Sequence, residues 1–410
     1  MFRIGNQATK NFLFFILMTG LIVLMVWGNF NFVKQNPGGY DFLINWIGTQ
    51  SLVKENLNPY SDTVANRIEK QAYGRQAIVG EEVELRVSYP LYSTFLFLPF
   101  SLINYFEMAR AMWMTLSEIA LFFMVILSLK ISNWRPGTLI TVLLLIFSLF
   151  WYHSLRPLIA GNAIVLIAFC TVFVLFLISQ KQDELAGIFL ALTTIQFQVV
   201  LAFILFILFW SLFNRRWRIV FWFFATIILL MLLSLFFKPN WIILYLQEMF
   251  REPGLQFPST PAQALDVLLP GIGFRMGLLI SALSGLILIL EAFLAREARG
   301  PILVWIASLT LVLGQWVNIK TDPTYFLVML PALFISLKMI QERWPTIGHW
   351  ISLSILLVLF IVPWWIFTDL TIYGSQVVES PLLFFVSPVI FIILLYWVRW
   401  WTKNPIKHTL

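Results

Sequence analysis

Charge is scarce in this sequence. Asp, Glu, Lys and Arg make up 11% of its 410 residues, against about 25% in an ordinary soluble domain. Long stretches therefore have no polar face to give to water, and a soluble globular fold is excluded. The single cysteine, Cys170, lies inside an apolar run, which rules out an intrachain disulfide and a cysteine-based metal site. Only three histidines occur, at 153, 349 and 408, too far apart for HExxH zinc chemistry. There is no GxxxxGK(S/T) sequence and hence no P-loop. Gly271-Ile-Gly273-Phe-Arg-Met-Gly277 misses the dinucleotide spacing and follows no strand. No Asp-x-Asp occurs, which weighs against a metal-diphosphate site for a nucleotide sugar. No paired carboxylates call for a metal or any other cofactor.

Apolar residues dominate instead. They make up 60% of the chain, and the net charge is +7. The Lys and Arg residues form short clusters between apolar runs rather than one tract, a pattern that orients a membrane protein and does not suit nucleic acid. Eighteen Trp residues, many at run ends, fit anchoring at a membrane interface. A hydrocarbon core of about 30 Å needs about 20 helical residues. Runs approaching that length lie at 11–32, 88–105, 107–130, 137–153, 158–180, 186–212, 217–237, 274–294, 301–318, 323–340, 346–368 and 381–401. The expected fold is all-α: one membrane domain over 1–410, a bundle of about 12 transmembrane helices (about 10–13). The first run is too long for a signal-peptide core, and no small-residue cleavage site follows it.

With the N-terminus in the cytoplasm and the sides alternating, Asn214–Arg218, Ala295–Arg299, Lys338–Arg343 and the tail Arg399–Lys407 fall inside. The C-terminus is then cytoplasmic too, and the acidic loop Asp369–Glu379 lies outside. Lys130 and Arg135 disagree, since they fall outside; a span near them is miscounted or re-enters. Two long loops, 33–88 and 238–273, are expected on the extracytoplasmic side. The first holds 7 of the 20 acids. In Tyr40–Glu55, Phe42, Trp46, Thr49 and Val53 recur at helical spacing. Such an amphipathic helix can lie on the membrane surface, and Asn58-Pro59-Tyr60 ends it.

Asp41 is the carboxylate to single out. It follows Gly38-Gly39-Tyr40, just past the first membrane helix. One reading is a helix cap, since a carboxylate is favoured at a helix N-terminus. The other is a general base held at the outer membrane face. Asp62 and Glu84 read as solvated loop acids. Glu118 sits within a span, where an ionisable side chain usually faces the bundle interior, and Arg110 is the nearby partner expected for it.

The order of several short strings is informative. Tyr40-Asp41-Phe42-x-x-x-Trp46, Asn58-Pro59-Tyr60-Ser61-Asp62, and Tyr89-Pro90-Leu91 with Phe97-Leu98-Pro99-Phe100 follow one another. Ala109 to Trp113, Gly161-Asn162, Arg215-Arg216-Trp217-Arg218 and Tyr325-Phe-Leu-Val-Met-Leu-Pro331-Ala332-Leu333 come after them. Together they resemble family 87 of the GT-C glycosyltransferases, polyprenyl-phosphate-dependent mannosyltransferases and their relatives. There are departures. Gln196-Phe197-Gln198 stands where that family commonly has Lys-Pro-Gln, Tyr-Pro-Leu replaces Tyr-Pro-Pro, and Asp322-Pro323-Thr324 precedes Tyr325 where a His is frequent.

The resemblance implies an inverting transfer of a sugar, mannose being commonest, from a polyprenyl-phosphate donor to a glycolipid or glycan acceptor at a cell membrane. It places the catalytic base at Asp41, on the extracytoplasmic face. Cations must stabilise the departing phosphate. The candidates are Arg86, Lys320, Arg156 and Arg275, with Arg86 and Lys320 ranked first. Trp46, Tyr60, Tyr89 and Tyr325 are further substrate-binding candidates, Trp46 and Tyr60 as surfaces for a sugar ring. The first-loop helix would border a groove for the isoprenoid tail. No metal is expected. The rival readings are a transporter, which usually shows internal repeats and helices broken at the midplane, and a lipid flippase. This chain shows no clear repeat.

Overall fold

The computed structural model of the chain describes residues 3–78, 81–251, 258–317, 319–373 and 377–403. The chain beyond Lys403, which carries the end of the expected basic tail, lies outside them, as do 252–257 of the second long loop. The structure is helical. Its first half comprises α1 (Arg3–Gln35), α2 (Tyr40–Glu55), α3 (Asp62–Tyr73), α4 (Thr94–Ser101), α5 (Phe106–Ile131), α6 (Thr138–Phe150), α7 (Tyr152–Ala160), α8 (Ile164–Ser179) and α9 (Asp183–Leu192). The second half comprises α10 (Phe197–Phe213), α11 (Trp217–Phe237), α12 (Trp241–Met249), α13 (Pro261–Leu268), α14 (Gly273–Leu294), α15 (Pro301–Leu313), α16 (Leu330–Arg343), α17 (Ile347–Leu370) and α18 (Leu383–Lys403). Two strands of two residues each, Ile372–Tyr373 and Val377–Val378, pair antiparallel near the last turn.

Among the described residues, eight helices are long and apolar enough to cross a membrane, or nine if the bent pair α6–α7 is one span. The pair bends by 49°. This is the polytopic bundle that composition demands. Apolar side chains coat its outside: α1 turns Phe14, Phe15, Leu17 and Trp27 outward, each more than half exposed. In lipid such faces need no protein partner. Helix association there rests on close packing rather than on hydrophobic burial. Gly187 shows this, because a Cβ at that position would lie 2.5 Å from the Ile219 carbonyl of α11.

Contacts along the chain fix the direction of each helix and revise two spans. Asn29 of α1 donates to Glu118 and Thr115 of α5, and Arg110 donates to the carbonyl of Asn36. The two helices are therefore antiparallel, and α5 begins at the end where α1 finishes. The segment 88–105 between them does not cross. Its helix α4 has eight residues, a length of about 12 Å, and Trp46 and Gln50 of α2 hold its C-terminal carbonyls. The segment 186–212 is not one straight span: it folds back on itself. Arg216, just after α10, binds the Asp183 carboxylate at the start of α9, which a straight helix of that length would forbid. The chain reverses at the 3₁₀ turn Thr193–Gln196, where Gln196 leaves the helical region at φ −124°, ψ 58°.

These two revisions repair the charge pattern. Ile131, at the end of α5, lines the same cavity as Lys181, Arg216 and Arg299. Lys130 and Arg135 thus join the basic clusters at one end of the bundle. The opposite end carries Asp41 and both long loops.

Those loops are folded onto each other. The Arg86 guanidinium reaches Glu248 of α12 at 2.8 Å, Asp62 at 2.7 Å and the Tyr60 carbonyl at 2.9 Å. Arg251 meets Glu84 at 2.8 Å. Helix α2 is packed into this cap rather than lying on a membrane surface: Phe42, Trp46 and Thr49 are buried, and of the expected apolar stripe only Val53 is exposed.

Candidate active site

Asp41 sits in the first turn of α2, but the helix cap is Gly39. Gly39 adopts φ +76°, and the Arg110 side chain lies so close that a Cβ there would be 2.2 Å from Nε. Arg110 in turn donates to the carbonyls of Asn36 and Ile159, at 3.0 and 2.9 Å, so it clamps the end of α1 to α7 and is not the partner of Glu118. Gly161 ends α7 at φ +72°, with Phe42 pressed against it: an added Cβ would stand 2.5 Å from that of Phe42. Both glycines supply left-handed backbone that other residues adopt only with strain. Between them they bring Asp41 against Asn162.

Asn162 is the hub. Its Nδ2 donates to Asp41 Oδ2 at 2.9 Å and reaches the Tyr325 hydroxyl at 3.4 Å. Its Oδ1 accepts from Gln196 Nε2 at 2.8 Å, the Tyr89 hydroxyl at 3.3 Å and the Ile164 amide at 2.8 Å. Gln196 also donates to the Tyr89 hydroxyl, while its own Oε1 is buried with no partner among the described residues. These bonds fix which way the Asn162 amide points, since one edge must accept and the other donate.

Burial raises the Asp41 pKa, while the Asn162 hydrogen bond and the nearby Arg156 charge oppose the rise. Arg156 of α7 donates to Glu379 Oε1 at 2.7 Å, and Tyr152 donates to Glu379 Oε2 at 2.6 Å. Across from them, Asp322 Oδ1 accepts from the Thr324 amide at 2.7 Å and from its hydroxyl. Burial and the Glu379 charge push Asp322 up to about 6. The arrangement is a carboxylate supported by neutral amides and phenols, with an acid-rich recess beside it.

The other expected residues are distributed unevenly. Asp41, Tyr89 and Tyr325 converge, and Arg156 stands nearby. Trp46 does not face a site: it is buried, with its Nε1 bonded to the Phe100 carbonyl at 3.0 Å and its ring against Phe106. Tyr60 is buried too, its hydroxyl donating to the Tyr89 carbonyl at 2.8 Å. It therefore positions Tyr89 rather than offering a ring to sugar. Arg86 is consumed by the loop staple. Lys320 and Arg275 are exposed, with no ion pair or hydrogen bond among the described residues. Asn162 and Gln196 stood out only as positions in short strings, and Asp322 and Glu379 not as site residues. Groups that could hold a metal ion, three or more His, Cys, Asp or Glu together, are absent among the described residues.

A family model described as glycosyltransferase family 87 matches residues 88–317. Tyr89, Asn162 and Gln196 fall within the matched region; Asp41 and Tyr325 lie on either side of it. No curated protein matches the chain.

Proposed function

This chain belongs to glycosyltransferase family 87, and on that premise we propose that it moves a sugar, mannose first among the possibilities, from a polyprenyl-phosphate donor to a glycolipid or glycan hydroxyl on the extracytoplasmic face. The observation that carries this reading is the Asp41 carboxylate, only partly exposed and oriented by Asn162 at 2.9 Å. In the transfer, the acceptor oxygen attacks the anomeric carbon from the face opposite the phosphate. The new C–O bond forms as the old one breaks, and the electron pair leaves on polyprenyl phosphate. The hydroxyl proton passes to Asp41. Configuration inverts. A carboxylate lifted above its ordinary pKa is a stronger base than a free one.

Two further features favour a lipid-borne donor. An apolar cavity of about 310 Å³ runs between α10, α14 and α15, lined by Leu205, Phe209, Leu288 and Phe293, and reaches Val317 and Ile319. It suits an isoprenoid tail better than the first-loop helix does, because that helix is packed over. Lys320 follows Ile319 directly, so a cation with no partner among the described residues stands at the cavity's outer end. The orientation rests on the basic end opposite Asp41, which under the positive-inside rule faces the cytoplasm together with both termini.

The test is reconstitution of the full chain in lipid vesicles with radiolabelled polyprenyl-phosphate mannose and a panel of glycolipid acceptors. Transfer from this donor, and none from a nucleotide sugar, is the expected result. A transporter or flippase would move the lipid across the bilayer and leave the glycosidic linkage intact.

A further inference from the structure

We propose that the acidic recess between Asp322 and Glu379 is a saccharide subsite, which takes the hydroxyl groups of one neutral sugar ring and turns away the donor's phosphate. The proposal rests on the glycosyltransferase reading and deepens it.

The recess has a volume of about 160 Å³ and is lined by Pro258, Asp322, Pro323, Glu379, Pro381 and Phe384, with Ser380 beside them. That is room for several waters, or one sugar ring. Three separate segments build it. The second long loop is joined to the 321–323 segment by the Thr321 amide donating to the Ser259 carbonyl at 2.7 Å, and the third segment leads into α18. Three prolines and a phenylalanine make stiff, apolar walls, so the polar contacts are concentrated on the two carboxylates.

Their hydrogen bonding is incomplete in a telling way. Glu379 is fixed from behind by Arg156 and Tyr152, one on each oxygen. Asp322 Oδ1 is taken by Thr324, while Oδ2 receives no hydrogen bond among the described residues. A carboxylate only accepts, so what fits is a group rich in O–H donors. The charges point the same way. Asp322 feels both Glu379 and Asp41 across this end of the bundle, and Arg156, paired with Glu379, is the opposing cation. A phosphate or uronate would meet net repulsion, whereas neutral hydroxyls would be drawn in. Asn162 bonds both Asp41 and the Tyr325 hydroxyl, and the Tyr325 amide donates to the Asp322 carbonyl at 2.9 Å, so a ring held here lies on the Asp41 side of the bundle. The ring could belong to the donor or to the acceptor; the chemistry is the same.

The experiment uses the full chain in detergent or nanodiscs, with Asp322→Asn, Asp322→Ala and Glu379→Gln, varying donor and acceptor separately. The KM for one substrate should rise about tenfold or more, with a smaller fall in kcat. The substrate whose KM moves identifies the source of the ring, and a deoxy analogue lacking the recognised hydroxyl should erase the difference between wild type and Asp322→Asn. Unchanged KM for both substrates in folded Asp322→Ala overturns the proposal. A second arm needs no turnover: methyl α-mannoside should protect the wild-type chain in a thermal-shift assay, Asp322→Ala should lose that protection, and glucuronate should give none. Equal protection by glucuronate, or by the neutral sugar in both proteins, overturns the subsite as well. If wild type transfers no sugar at all, the enzymatic reading fails while this second arm still decides the recess.

Discussion

Asn162 donates a 2.9 Å hydrogen bond to the Asp41 carboxylate, joining the end of α7 to the start of α2 across 121 residues of sequence. Asn162 cannot turn to offer its oxygen instead, because Gln196 and Ile164 already donate to that oxygen. Replacing Asn162 with Ala should lower kcat by about ten- to a hundredfold, the worth of one hydrogen bond to a charged group. Substrate KM should change far less. Equal losses in both would make Asn162 a binding residue rather than one that positions the base.

Gly39→Ala tests how Asp41 is placed without touching it. The new methyl would require φ +76° of an ordinary residue and would collide with Arg110. A stability loss of at least about 1 kcal/mol is expected, with a larger proportional loss of turnover. Gly38→Ala is the companion variant, since nothing lies within 4 Å of a Cβ there. It meets only the backbone cost and should be the milder of the two.

The pH dependence follows from burial. A base acts when ionised, so kcat/KM should be full above the raised Asp41 pKa and fall as pH drops through it. The acid limb should therefore lie above the usual aspartate value of 3.8. A limb at or below that value would contradict the assignment.

Asp322 gives a separate stability signature. Its folded pKa, near 6, exceeds that of the unfolded chain, so the folded state holds its proton more tightly. That contribution is fully present below the unfolded pKa and is lost as pH rises through about 6. Asp322→Asn keeps a neutral group at every pH. Its melting temperature should exceed wild type at pH 8 and match it at pH 4, as read by thermal unfolding in detergent.

Arg86 offers a test of the loop staple. Arg86→Met leaves Glu248 uncompensated, with a side chain only 11% exposed. Removing one partner of a largely buried pair costs about 3–5 kcal/mol. Arg86→Met with Glu248→Gln should recover much of that stability. A double variant no better than the single one would show that the pair is not coupled.

Much of this architecture could be read from the sequence, and the failures have physical causes. Apolar runs marked every helix of the bundle. The reversal at Gln196 left no trace, because no Gly or Pro separates Gly187 from Asn214 and the turn is made by Thr193–Gln196 packing under Tyr89 and Tyr92. The span 88–105 misled in the other direction: it is apolar because α2 covers it, not because lipid does. Asp41 stood out from its place after Gly38-Gly39 and the strings around it. Trp46 and Tyr60 looked like sugar platforms until their polar atoms were found bonded to carbonyls. Glu379 could not be paired with Arg156 by any local pattern, since the two stand 223 positions apart.

The role of Asp41 as base is decided by the turnover of Asp41→Asn, measured with saturating polyprenyl-phosphate mannose and acceptor on protein shown to fold and bind donor like wild type. A fall in kcat of about 10²–10⁴-fold is expected, with Asp41→Glu recovering part of it. Asp41→Asn turning over as fast as wild type would rule Asp41 out as the base.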